Sequence, residues 1–373
     1  MARRPPSWGA GWAFRSIRSG SIVSPSARSR SLADGAQPLP PKPHREREGQ
    51  GNLSHGPLHE GKGGEGTSDA LSEWSVPDVS AELRIPEGKG PGGQSLPNLG
   101  LFTASDAYRF YYRRYPAVGE TRARIVIVHG IRSHGGWYSR SCGELAGAGF
   151  DVYFLDRRGS GLNTAHRGDA PNFRRLIDDV AEFVQGLRGE HAWLPVFVCG
   201  ISWGGKLAVG LPYRKPNLVD GLVLLCPGLV PKVAPPLPQR ARIAVARVFW
   251  PWKFFPIPLN EPDLFTASEE WRRYVDTEPH GLREATSRFL FSSFSLDIYL
   301  RRAAKRVTVP TLMLLAENDR IIDNAPTAAF VGRFPGATEV KTYPGAHHTL
   351  EFEHENHPWL SDMKAWLDAR LSR

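Results

Sequence analysis

The run Val196 to Cys199 is apolar and β-favouring, Gly200-Ile201-Ser202-Trp203-Gly204 follows it, and Lys206-Leu207-Ala208-Val209 then reads as helix. A Gly-x-Ser-x-Gly turn between strand and helix is tight enough to strain the serine backbone and present its hydroxyl at the sheet edge. The same five residues also suit a plain strand-to-helix turn in which Ser202 caps the helix. A serine hydroxyl is a poor nucleophile until a base takes its proton, and that base needs an acid to hold its tautomer. Downstream, Asp319 follows the apolar run TLMLLA in AENDRIID, and His348 follows TEVKTY in YPGAHHTLEFE. The chain order is therefore Ser202, Asp319, His348, the order expected when the three meet on an open α/β sheet. Glu317 and Asp323 compete with Asp319, and His347 competes with His348. His354 and His357 lie nearby, but no His-Glu-x-x-His spacing accompanies them, so neither a metal nor a cofactor is expected.

Acyl chemistry at Ser202 also needs two N–H donors for the oxyanion. One is assigned to the backbone of Trp203, the residue after the candidate nucleophile. The other is assigned to the backbone of Ile131, in the loop His129-Gly130-Ile131 after the strand RIVIV. His129 and Gly130 are placed beside the substrate, although His129 also reads as a residue that holds the loop.

The elements that must bring these residues together alternate. The aromatic and basic run at 108–114 reads as a strand after a turn, 124–128 and 150–155 as strands with a helix at 138–149 between them, and 171–188 as an amphipathic helix. Strand 194–199, helix 203–213 and strand 218–226 follow. Unbroken apolar strands separated by helices predict an α/β fold, a mostly parallel sheet with helices on both faces. The alternation stops at about 229–306, which holds many prolines, aromatics and arginines, and resumes with strand 311–316, a helix near 324–334, strand 338–343 and a helix at 358–371. That interruption predicts a helical lid inserted in a domain spanning 99–373.

Residues 1–98 are rich in Arg, Ser, Gly and Pro and lack an apolar period, so they are read as a disordered leader. Three readings of it stay open: an organelle transit peptide, a solvated tail, or a stretch translated ahead of the true start. The formal net charge of +9 raises the question of nucleic acid, but the remainder shows no finger spacing, aromatic-basic platform or recognition helix, and no nucleic-acid partner is expected. Cys142, Cys199 and Cys226 are widely spaced and sit in apolar contexts, which predicts buried free thiols. No run is long enough to span a bilayer, and the expected location is cytoplasmic, with peripheral contact to a membrane left open.

VHGIRSH (128–134), LDRRGSG (155–161), GISWGG (200–205), AENDRIID (316–323) and GAHH (345–348) together resemble the α/β-hydrolase fold, specifically its monoacylglycerol lipase and lysophospholipase branch. The resemblance covers roughly 100–372. It implies hydrolysis of a carboxylic ester of a lipophilic small molecule through an acyl-enzyme, with Ser202 as nucleophile, His348 as general base and acid, and Asp319 orienting the imidazole. This chain departs from the branch in carrying Ser160 where a histidine is usual and Asn163 where a serine is usual. In the lid, Trp250, Trp252, Phe254, Phe255 and Leu259 lie near Arg240, Arg242, Arg247 and Lys253, a combination suited to a lipid surface or to packing on the sheet. Trp250 and Phe254 are assigned to substrate contact. A serine aminopeptidase of the prolyl type, using Glu261, Asp263, Glu269 or Glu270 to hold a substrate ammonium, remains an alternative, as does a non-catalytic pocket protein. Dehalogenases and epoxide hydrolases are disfavoured because they need a carboxylate at the elbow.

Overall fold

The computed structural model describes residues 97–372. The leader assigned to 1–98 lies outside them but for its last two positions, and Asn98 already opens a strand. Strands β1 (Asn98–Thr103) and β2 (Arg109–Tyr115) form an antiparallel pair, and β2 runs antiparallel to β4 (Phe150–Leu155). From there the sheet is parallel, through β3 (Ala123–Val128), β5 (Val196–Ile201), β6 (Gly221–Leu225), β9 (Thr311–Ala316) and β10 (Thr338–Tyr343), giving the order β1-β2-β4-β3-β5-β6-β9-β10.

Every residue of β3, β4, β5, β6 and β9 is buried. Successive strand residues face opposite ways, so complete burial means that both faces are covered, and the unbroken apolar runs are the sequence trace of that arrangement. The cover comes from helices α1 (Ser139–Gly147), α2 (Phe173–Glu190), α3 (Gly204–Arg214), α7 (Asn324–Val331) and α8 (Trp359–Leu371). α2 shows how local sequence sets an element: the Asn172 side chain accepts the Arg175 N–H at its start, and Phe173, Leu176, Ile177, Val180, Phe183, Val184 and Leu187 form its buried stripe.

Between β6 and β9 the chain forms α4 (Leu237–Phe249), β7 (Phe254–Pro256), α5 (Glu269–Thr277), β8 (Glu284–Thr286) and α6 (Ser287–Ala303). This segment is helical as expected, with one addition: β7 and β8 pair as a small antiparallel ribbon. Across the parallel strands, Val128 is in register with Gly200, Ile201 with Leu225, and Ala316 with Tyr343. The loops after β3, β5, β9 and β10 therefore leave the sheet at one edge, where open α/β sheets place their ligands.

Candidate active site

β5 ends at Ile201 and α3 starts at Gly204, so strand becomes helix within two residues. Ser202 takes φ +50, a left-handed conformation that costs a non-glycine residue about 1–3 kcal/mol. The surroundings hold it there: its N–H donates to Leu225 O at 2.9 Å, and its carbonyl accepts the N–H groups of Gly205 and Gly228. The flanking glycines are demanded by space, since a Cβ on Gly204 would stand 2.2 Å from Val128 O and one on Gly200 2.7 Å from the Gly205 Cα.

The Ser202 hydroxyl lies 2.9 Å from His348 Nε2, and His348 Nδ1 lies 2.7 Å from Asp319 Oδ2. Asp319 Oδ1 accepts the N–H groups of Ile321 and Ile322, each at 2.8 Å, which locks the carboxylate and leaves Oδ2 for the imidazole. Burial alone would push the Asp319 carboxyl up. The neighbouring His348 and the two backbone N–H groups overcome that and hold it below the usual carboxylate range. Neither competitor reaches the imidazole by hydrogen bond: Glu317 accepts the Gly345 N–H, and Asp323 stands at the start of α7. His347 turns instead to Glu353.

Gly130 N–H is already used, donating to Ser133 Oγ at 3.1 Å. The N–H groups of Ile131 and Trp203 donate to no protein acceptor among the described residues, and both residues border the space in front of Ser202. His129 differs from the expectation of substrate contact. It is fully buried, its Nδ1 donates to Gly130 O at 2.7 Å, and its Nε2 accepts the Arg157 N–H at 3.0 Å. Burial and the Arg157 charge lower its pKa well below the ordinary value, so it is a neutral brace for the loop.

Ser202 opens into a cavity of about 280 Å³ whose wall includes Trp203, Val233, Leu259, Leu290, Phe294 and Ile321. Trp250 and Phe254 are not part of that wall, which corrects their assignment. α4 buries only Ile243 and Ala246, so its aromatic end, through Trp250, faces solvent. In β7 the strand alternation turns Phe255 inward and therefore Phe254 outward, 48% exposed. Phe254 instead borders a separate groove with Arg167, Glu278 and Arg283.

Several residues of the site went unnoticed in the sequence. Lys206 and Asp297 line the cavity as an ion pair of 2.5 Å, and the signal for Lys206 was a cation one helical turn past the serine in an otherwise apolar helix. Arg132 is buried with its guanidinium donating to Leu259 O and, at 3.0 Å, to Val275 O, while its own carbonyl accepts the Leu282 N–H. His134 adds a 2.9 Å contact to Glu278, so the loop that carries Ile131 is tied to the α5 side of the intervening segment. The unusual Asn163 is equally well placed: its amide donates to Asp156 O and Arg157 O and accepts the Tyr111 N–H, and Ser160 Oγ donates to Arg157 O.

All three cysteines are buried and free, and burial raises each thiol pKa. Cys226, Asp319 and His348 lie close enough to share a metal ion, with donor atoms all within 4.8 Å. Both ring nitrogens of His348 are, however, engaged by Asp319 and Ser202, and the imidazole has no lone pair left for a metal.

The model of the family described as serine aminopeptidase, S33, matches residues 119–355. A monoacylglycerol lipase of Mycolicibacterium smegmatis is 27% identical over 280 residues, covering 72% of this chain and 96% of the relative. The monoglyceride lipase of Homo sapiens is 25% identical over 306 residues, covering 78% and 97%. Among solved structures, a soluble variant of the Saccharomyces cerevisiae monoglyceride lipase in complex with a substrate analogue superposes with a TM-score of 0.67 at 20% identity, over 76% of this chain and 98% of that one.

Proposed function

Since the chain belongs to the serine aminopeptidase S33 family and has the α/β-hydrolase fold of the monoglyceride lipase-like branch, we propose that it is a serine hydrolase cleaving carboxylic esters of lipophilic, monoacylglycerol- or lysophospholipid-like substrates. The observation that carries this reading is the unbroken chain from the Ser202 hydroxyl through His348 to Asp319, beside two unused backbone N–H donors. His348 Nε2 takes the hydroxyl proton as Ser202 Oγ attacks the ester carbonyl. Charge develops on the carbonyl oxygen, where the N–H groups of Ile131 and Trp203 receive it. The imidazolium, steadied by Asp319, then gives its proton to the departing alcohol. Water attacks the acyl-enzyme by the same steps in reverse and frees the acid. The largely apolar cavity supports an acyl chain as its occupant.

An ester is favoured over a peptide with a free amino terminus by the placement of the acidic residues. Glu261, Asp263, Glu269 and Glu270 do not line the cavity; Asp263 pairs with Arg320 and Glu269 with Arg273. The segment between β6 and β9 acts as the lid. Its exposed Val248, Phe249, Trp250 and Trp252, with Arg247 and Lys253 alongside, suit peripheral contact with a lipid surface. No helix among the described residues is long and apolar enough to cross a membrane.

Ser202→Ala tests the reading. Turnover of a monoacylglycerol and of a nitrophenyl ester should fall by several powers of ten. Labelling of the wild type by a fluorophosphonate should vanish with it; undiminished hydrolysis or labelling in the variant refutes the mechanism, and a wild type that takes no label is a non-catalytic pocket protein.

A further inference from the structure

Lys206 lies four residues beyond Ser202, in the first turn of α3. Its side chain is 6% exposed, and its ammonium meets Asp297 Oδ1, from α6, at 2.5 Å. An ammonium has three N–H donors, and this is the one hydrogen bond that it makes within the described protein. Asp297 Oδ2 accepts no hydrogen bond from the described residues. Both residues line the cavity into which Ser202 opens, and most of the remaining wall is apolar.

A channel serving only a hydrocarbon chain gains nothing from a charge here, since a buried Lys206 ammonium loses its hydration and a partner 38% exposed to solvent repays that only weakly. We infer that Lys206 and Asp297 form a subsite for a hydroxyl group of the substrate, within the cavity that receives the scissile ester. The inference rests on the ester-hydrolase reading and deepens it. A hydroxyl is the group that answers both halves: its oxygen accepts a free N–H of Lys206, and its O–H donates to Asp297 Oδ2. A carboxylate or phosphate would face Asp297, and an ammonium would face Lys206, so each meets a like charge. Arg240, at the same cavity but exposed, donates its Nε to Pro235 O and contributes a screened positive charge at the rim.

The hydroxyl can belong to the alcohol, as in a glyceryl ester, or to the acyl chain, as in a hydroxyacyl ester. Three octanoyl substrates separate these sources: the methyl ester, the 1-glyceryl ester and the methyl ester of 3-hydroxyoctanoate. For the wild type, kcat/KM on one of the hydroxylated esters should exceed that on the plain methyl ester by about 10- to 100-fold, the size of a hydrogen bond to a charged group. The preferred substrate identifies the side. In Lys206→Met and in the isosteric Asp297→Asn, that ratio should fall by about tenfold or more. A wild-type ratio near one for both hydroxylated esters, with the methyl ester turned over, overturns this inference alone. So does an unchanged ratio in the variants. A wild type that hydrolyses none of the three overturns the ester-hydrolase reading and this inference with it. The wild-type ratio needs no variant to fold, and it keeps the inference open to refutation if Lys206→Met unfolds.

Discussion

Glu351 sits three residues after His348, fully buried, where its Oε1 accepts the Ser141 N–H at 3.1 Å near the start of α1 and its Oε2 finds no hydrogen bond among the described residues. The nearest cation, Arg140, stands 3.9 Å away. Burial pushes the carboxyl up to about 7 from an ordinary 4.5, against the opposing pull of Arg140 and Ser141. Between those two values the folded protein keeps a proton that the unfolded chain has released. The unfolded state then binds fewer protons, and this group makes stability fall as pH rises through the window. A rise from 4.5 to about 7, at 1.36 kcal/mol per unit, amounts to about 3 kcal/mol lost by pH 8 relative to pH 4. Glu351→Gln keeps the shape and the Ser141 contact but has no charge to form, so the variant should gain on the wild type by about that amount between pH 4 and pH 8. Urea unfolding of both proteins at a series of pH values measures it, and taking the difference between the two removes the histidines they share. A variant-minus-wild-type difference that stays flat across the window refutes the reasoning.

Asp319→Asn keeps acceptors for Ile321 and Ile322 but turns an amide N–H₂ toward His348 Nδ1, moving the imidazole proton to Nε2, where it cannot accept from Ser202. kcat should fall about 10⁴-fold, by analogy with the serine-protease triad, and a loss under tenfold in steady-state assays contradicts Asp319 as the orienting acid. Gly204→Ala drives a methyl group into Val128 O of β3, a rigid partner, and should cost about 2–3 kcal/mol in chemical denaturation; a variant as stable as the wild type would mean that the elbow has slack. Replacing Trp250 and Trp252 together by serine removes two exposed indoles from the surface beside Arg247 and Lys253, and binding to anionic vesicles in a flotation assay should weaken by about tenfold. Equal flotation of the two proteins excludes that surface as the lipid contact.

The inner parallel strands were legible because burial on both faces leaves continuous apolar runs, and Asp319 was legible because it stands just past one of them. His348 stands past β10, a mostly exposed edge strand whose TEVKTY shows a β-favouring rather than an apolar run. β1 was not: NLGLFT is short, interrupted by Gly100, and adjoins the apolar-poor leader, so only its pairing with β2 defines it. The intervening segment was legible as an interruption and no further. Its aromatic composition is the same whether a ring faces core or solvent, and neighbouring residues divide: Phe255 is buried while Phe254 and Trp252 are exposed. Arg132 and Lys206 were missed for a related reason, since a buried cation is recognised only once its acceptors, here Leu259 O, Val275 O and Asp297, are known to arrive from distant parts of the chain.

The ties made by Arg132 divide the segment over the site into two mechanically different halves. On one side, Leu259, Val275, Glu278 and Leu282 are hydrogen-bonded to the very loop that carries Ile131, so any swing of that half would drag the Ile131 N–H with it. On the other side, α4 is seated by two buried side chains, Ile243 and Ala246, beyond a cavity-wall stretch that Lys232 fastens to the carbonyls of Asp319 and Ile321. Local opening follows the weaker attachment, so amide exchange should be fastest in α4 and slowest around Val275. On the proposed ester-hydrolase reading, displacement of α4 would admit a substrate while the Ile131 loop stays fixed, and the entrance would breathe without loosening the chemistry.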